Sequence, residues 1–136
     1  MSQDQSPRPH VLFVDDDEAI CRSIARGLER AGLEVMVARS GQAALDLIAK
    51  AKFDVIVTDQ QMAGMRGTEL IEKLLAVDPA LGPRIILTSG DLDGANAAGA
   101  QSSGYRSIPK PYATAELALL IRAVVARLAP ANLTAA

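Results

Sequence analysis

Residues 10–24 read HVLFVDDDEAICRSI, and the fold is decided by how this stretch changes character. HVLFV is a nearly continuous apolar run, as expected of a strand covered on both faces. From Ile20 onward the period changes. Ile20, Ile24, Gly27, Leu28 and Ala31 fall on one helical stripe, and Gly32 is a good stop. A buried strand therefore becomes a helix across Asp15, Asp16, Asp17 and Glu18. One carboxylate is enough to cap a helix, so four in a row need a further reason.

The same unit recurs along the chain. EVMVA (34–38), DVIVT (54–58) and RIILT (84–88) read as further buried strands, and YRSI (105–108) as a weaker fifth. Ser40 can cap a helix running to about Lys50. A third helix, Gly67 to Val77, presents Leu70, Ile71 and Leu74 and is ended by Pro79. The last spans Ala113 to Leu128, with Leu117, Leu120, Ile121, Val124 and Leu128 on one stripe. Between strands four and five, GDLDGANAAGAQSSG (90–104) contains four glycines. Each costs a helix interior about 1 kcal/mol relative to alanine, so a short or mobile helix is expected there. Strands alternating with helices imply parallel strands joined by right-handed crossovers. The expected fold is a doubly wound five-stranded α/β sheet with helices on both faces. It occupies residues 10–128, with 1–9 a flexible N-terminal segment and 129–136 a tail or linker stub.

A chain of 136 residues suits one domain, and 49% hydrophobic with 22% charged residues is a globular composition. A net charge of −2 gives no basic footprint for nucleic acid, and 3% aromatic content removes a base-stacking platform. No direct nucleic-acid binding is expected. No apolar run approaches the roughly 18–20 residues of a membrane span, and MSQDQSPRPH lacks a signal-peptide core. The single cysteine, Cys21, rules out an internal disulfide and fits a reducing cytoplasm.

In an open parallel sheet, ligands gather outside the carboxyl ends of the strands. Strand one ends in Asp15, Asp16 and Asp17, strand three in Asp59, and strand four in Thr88 and Ser89. Strand five runs into Lys110 between two prolines. Carboxylates collected on one edge repel one another, and a hard divalent cation is the usual remedy. Oxygen-only ligands favour Mg²⁺, which completes its shell with water and phosphate. A lysine and a hydroxyl opposite would meet the remaining oxygens of a phosphoryl group. This set suits a carboxylate that attacks a phosphoryl donor and becomes an acyl phosphate.

The segments VLFVDDD, VIVTDQQMAGMRGTEL, RIILTSGD and IPKPY, in this order and at these separations, resemble the receiver domains of two-component response regulators. The resemblance runs from about His10 to Leu128. It implies the sheet order 2-1-3-4-5 and a signalling switch that catalyses only its own phosphorylation and dephosphorylation. By this likeness Asp59 is the phosphoacceptor, with Thr88 and Lys110 bonding phosphoryl oxygens. Asp15, Asp16 and Asp59 hold Mg²⁺ together with the backbone carbonyl of Gln61. The implied donor is a phosphohistidine on a sensor histidine kinase or phosphotransfer protein. Asp17 is then left as the cap of helix one, with Glu18 complementing the helix dipole.

Two departures stand out. The loop after Asp59 reads Met62-Ala63-Gly64-Met65-Arg66-Gly67, without the family's usual proline and with Arg66 reversing a charge. Three residues before Lys110, where the family carries an aromatic switch residue, stands Ser107. Tyr105 shares its face two positions earlier and could substitute only from farther away. These departures motivate an alternative, a phosphate-independent interaction module of the same fold. A phosphatase of the haloacid-dehalogenase type is suggested by Asp15-x-Asp17, but the Thr or Ser after the second Asp and a cap segment are not evident. The absence of a Gly-rich turn after strand one argues against a dinucleotide-binding domain.

Elsewhere the plainer readings prevail. Ser89 is small and leaves the site open; Cys21 is inert packing beside the buried stripe; Met62 and Met65 pack the loop and a partner surface. His10 lies away from the reactive edge. The last helix is apolar beyond one face, with Leu119 off the core stripe, so self-association or an output partner is expected through that helix and strand five.

Overall fold

A computed structural model of the chain describes residues 8–90 and 104–128. Five strands, β1 (His10–Val14), β2 (Glu34–Ala38), β3 (Val55–Asp59), β4 (Ile85–Ser89) and β5 (Arg106–Pro109), form one sheet in the order β2-β1-β3-β4-β5. Every pairing is parallel. Four α-helices are described: α1 (Glu18–Arg30), α2 (Gly41–Lys50), α3 (Gly67–Val77) and α4 (Thr114–Arg127). A 3-10 helix, Pro79–Arg84, leads into β4. The segment in which a short or mobile helix was expected lies, from residue 91 to 103, outside the described residues, as do residues 1–7 and 129–136.

Side chains alternate across the sheet and build two cores. Leu12, Ile56, Leu87 and Tyr105 pack with Leu70, Ile71 and Leu74 of α3 and Ala44 of α2. Val11, Phe13, Val57 and Ile86 pack with Leu28 of α1 and Leu117, Ile121 and Val124 of α4. Helix ends follow local chemistry. Asp17 accepts the Ile20 amide at 3.1 Å and Ser40 the Ala43 amide at 3.0 Å, both as expected of caps. Neither Arg66 nor Ala113 supplies a side-chain cap; Glu69 and Glu116 instead reach back to their amides, at 3.0 and 2.7 Å. Where α1 crosses α4, a Cβ on Gly27 would stand 2.6 Å from Thr114 Cγ2, so this close approach requires glycine.

The sequence reading needs correction in three places. β2 is an edge strand with Met36 exposed, not a strand covered on both faces. Ile20 is 39% exposed, while Cys21, placed beside the stripe, is buried in the core. β3, β4 and β5 each lie one residue later than read, because Asp59 pairs with Thr88 and Ser89 with Pro109, which extends the ladder to the site itself.

Candidate functional site

The sheet delivers the site residues in register. Asp59 and Thr88 are paired neighbours on β3 and β4, and Ser89 pairs with Pro109 one residue before Lys110. Backbone bonds continue the order past the strand ends: Gln60 N–H to the Thr88 carbonyl at 3.0 Å, Lys110 N–H to Ser89 at 3.0 Å, Asp15 N–H to Ala38 at 3.1 Å.

Lys110 Nζ lies 2.8 Å from Asp59 Oδ1, and Asp59 is buried. Thr88 Oγ1 stands 3.5 Å from the same oxygen, at the outer limit of a hydrogen bond. Asp15 is also buried. Its Oδ1 accepts the Asp17 amide at 3.0 Å, while its Oδ2 is buried without a hydrogen-bond partner. Burial pushes the Asp15 carboxyl above its ordinary value; the Asp17 amide pulls it back, and the Asp59 charge pushes it up again. Asp16 is exposed and its Oδ2 accepts the Ala63 amide at 3.0 Å, which ties the β1 end to the loop after β3.

An orphaned buried carboxylate oxygen beside two more aspartates fits a hard cation. Among the described residues no three acidic, histidine or cysteine side chains are grouped so as to hold a metal by themselves. A cation here would therefore also draw on backbone and solvent oxygens, the habit of Mg²⁺. Gln61, whose carbonyl was expected to contribute, is exposed in the loop that follows Asp59.

Sequence reasoning missed Gln60. It is buried, its Oε1 accepts the Thr68 amide at 2.8 Å, and its Nε2 donates to Thr68 Oγ1 at 3.2 Å. With Gly67 N–H donating to the Gln60 carbonyl at 3.1 Å, the loop is clasped onto the start of α3. A Cβ on Gly67 would stand 2.4 Å from the Asp59 carbonyl oxygen. Met62 is buried in the core, while Met65 is half-buried and packs against its edge.

Below the aspartates, Cys21 Sγ donates to the Asp15 carbonyl at 3.1 Å. Burial, then the Asp15 charge, pushes this thiol up to about 11. Tyr112, two residues past Lys110, is pushed up to about 12 by burial, then by Asp15 and Asp59. Both remain protonated beside the carboxylates at neutral pH. Tyr105, just before β5, is buried in the α2–α3 core, and Ser107 on β5 is half-buried. His10 sits at the opposite end of the sheet, paired with Glu34. No helix among the described residues is long and apolar enough to cross a membrane.

Comparison with known proteins bears on this geometry. The family model of the response regulator receiver domain matches residues 11–122. The response regulator MprA of Mycolicibacterium vanbaalenii is 36% identical over 120 residues, covering 88% of this chain and 52% of that protein. MprA of Mycobacterium avium is 35% identical over the same shares. The chain thus spans about half the length of the curated relatives it matches. Among solved structures, the receiver domain of the Francisella response regulator 1452 is 30% identical with a TM-score of 0.78, covering 88% of this chain and 98% of that one. A CheY-like receiver domain protein of Methanospirillum hungatei is 30% identical with a TM-score of 0.81, covering 89% and 96%.

Proposed function

We propose that this chain, which belongs to the response regulator receiver domain family, is a phosphorylatable switch that takes a phosphoryl group onto Asp59 from a phosphohistidine of a sensor kinase or phosphotransfer protein. The observation carrying this reading is the buried Asp59 carboxylate, held by Lys110 at 2.8 Å and approached by Thr88 at 3.5 Å. One Asp59 oxygen attacks phosphorus while the bond from phosphorus to the donor imidazole breaks. The electron pair leaves with the imidazole nitrogen, which then takes up a proton.

Lys110 orients the Asp59 carboxylate and is placed to pair with a transferred oxygen. The Thr88 hydroxyl donates to another as it closes from its present distance. Asp15, Asp16, Asp59 and the Gln61 carbonyl would hold Mg²⁺, which when bound supplies charge neutralisation between the carboxylates and the incoming phosphoryl group. Ser107 on β5 and Tyr105, just before that strand, form the switch region. With serine at the half-buried position, a change at Thr88 is relayed by a smaller side chain than an aromatic.

The test is intact mass after incubation with Mg²⁺ and acetyl phosphate, beside Asp59→Asn. One added phosphate, dependent on Mg²⁺ and absent from the variant, is expected. No added mass and no beryllofluoride binding would leave the phosphate-independent interaction module as the function.

A further inference from the structure

One flank of α1 carries a row of cations that phosphoryl transfer does not use. Arg22, Arg26 and Arg30 follow one another at four-residue spacing, so they rise along the helix in steps of about 6 Å. All three are exposed, and none of them forms an ion pair among the described residues. They line a hollow of about 470 Å³ whose other walls are Ala19, Ser23, Gly27 and Thr114, with no acid in the lining. The acids nearest in sequence stand outside it. Glu18 is engaged by Arg39 at 3.7 Å, Glu116 accepts the Ala113 amide at 2.7 Å, and Glu29 is exposed. Arg30, in the last turn, offsets the negative end of α1, while the positive end of α4 enters the hollow at Thr114. Arg22 and Arg26 therefore remain as an excess of positive charge.

Ala19, Ser23 and Gly27 repeat at the same spacing, so a channel of small residues runs beside the charged ridge. Ridges and channels of residues four apart are the surfaces through which helices most often pack. A second hollow on α1, about 450 Å³, is bordered by Ile20, Ile24, Pro111 and Tyr112. We propose that this flank docks an acidic amphipathic helix of a partner protein. Its carboxylates, four residues apart, meet Arg22 and Arg26, and its apolar side chains meet Ile20 and Tyr112. Other anionic occupants fit less well. Nucleic acid needs a broader basic face than one row of arginines on a chain of net charge −2. A membrane surface needs a wide apolar face, and of the large apolar residues on α1 Ile20 alone is exposed. A small anion gains little from one exposed guanidinium, whereas a helix engages several at once. The docking does not depend on the phosphoryl-transfer reading and is tested without a phosphodonor.

The probe is a capped helical peptide of about 17 residues, with Glu at every fourth position and Leu just before each. It is titrated into the full chain at low salt and followed by amide shifts. A dissociation constant at or below about 1 mM is expected, with shifts centred on residues 19–30 and 111–114. Binding should weaken as salt is raised. The same peptide with Lys in place of Glu should bind at least about ten-fold more weakly. A peptide of the same composition and helicity, with the four-residue period scrambled, should bind about five-fold more weakly. Arg26→Glu should weaken the acidic peptide about five-fold and Arg22→Gln about two-fold, each with the ligand-free melt unchanged. No shifts at about 1 mM peptide, shifts centred elsewhere, equal binding of the scrambled peptide, or binding unaltered in both variants would each overturn the proposal. Tighter binding of single-stranded RNA or of anionic phospholipid vesicles would overturn it in favour of that class.

Discussion

The two ends of the sheet each bury an aspartate, and they treat it differently. At the amino end, Asp54 is 1% exposed; its Oδ2 accepts the His10 amide at 2.7 Å, its amide donates to His10, and its carbonyl receives Arg84. At the carboxyl end, Asp15 is 2% exposed and one of its oxygens meets no partner. A buried carboxylate that is fully served ties strands together. One left short costs stability, and the fold retains it where a ligand can complete it.

The difference can be broken by substitution. Asp54→Ala should cost about 3 kcal/mol in urea unfolding by stranding the His10 amide, and the rise in melting temperature expected on adding Mg²⁺ to the proposed site should be unaffected. A loss under about 1 kcal/mol would remove the contrast. Gly67→Ala should cost about 2 kcal/mol, because the new Cβ meets the Asp59 carbonyl and the loop must shift. Asp15→Asn should do the reverse and stabilise the metal-free protein by about 1 kcal/mol, since it removes a charge that burial disfavours. It should also remove the rise in melting temperature expected when Mg²⁺ is added to the proposed site, and destabilisation without metal would refute this account of Asp15.

Two smaller effects sharpen the comparison. The Cys21 thiol is held near 11 in the folded chain against an ordinary 9.0. The unfolded chain loses this proton first, so stability should be complete below pH 9 and fall as pH rises toward 11. The loss should be about 1 kcal/mol by pH 10. Cys21→Ala should flatten that part of the profile in alkaline denaturation curves. Leu119, 70% exposed on α4, serves neither end. Leu119→Glu should change stability by less than about 0.5 kcal/mol. If α4 and β5 mediate self-association, light scattering should show it reduced.

Period and punctuation in the sequence were sufficient for the alternation of parallel strands and helices, the caps at Asp17 and Ser40, and α3 to the residue, whereas the strand order came only with the family resemblance. Asp15, Asp59, Thr88 and Lys110 could be gathered before any coordinates, because a parallel sheet delivers its carboxyl ends to one edge. What stayed hidden depends on contacts between distant segments. The Gln60 clasp needs Thr68 folded back beside it, and the burial of Met62 needs the loop turned inward. Neither leaves a periodic trace. Ile20 was misplaced for a related reason: an apolar stripe gives a helix its direction but not how far its first turn overhangs the sheet.

The pairing of Asp59 with Thr88 has one further consequence. Their separation is set by the spacing of adjacent parallel strands, about 4.8 Å, and not by the packing of their own side chains. The ladder works as a gauge. Residues in either core can drift through many substitutions and the gauge still reads the same, because no backbone bond has moved. A single inserted residue in β4 would throw it off by a whole step and turn the hydroxyl to the other face. Such a cleft tolerates extensive change in sequence and almost none in chain length.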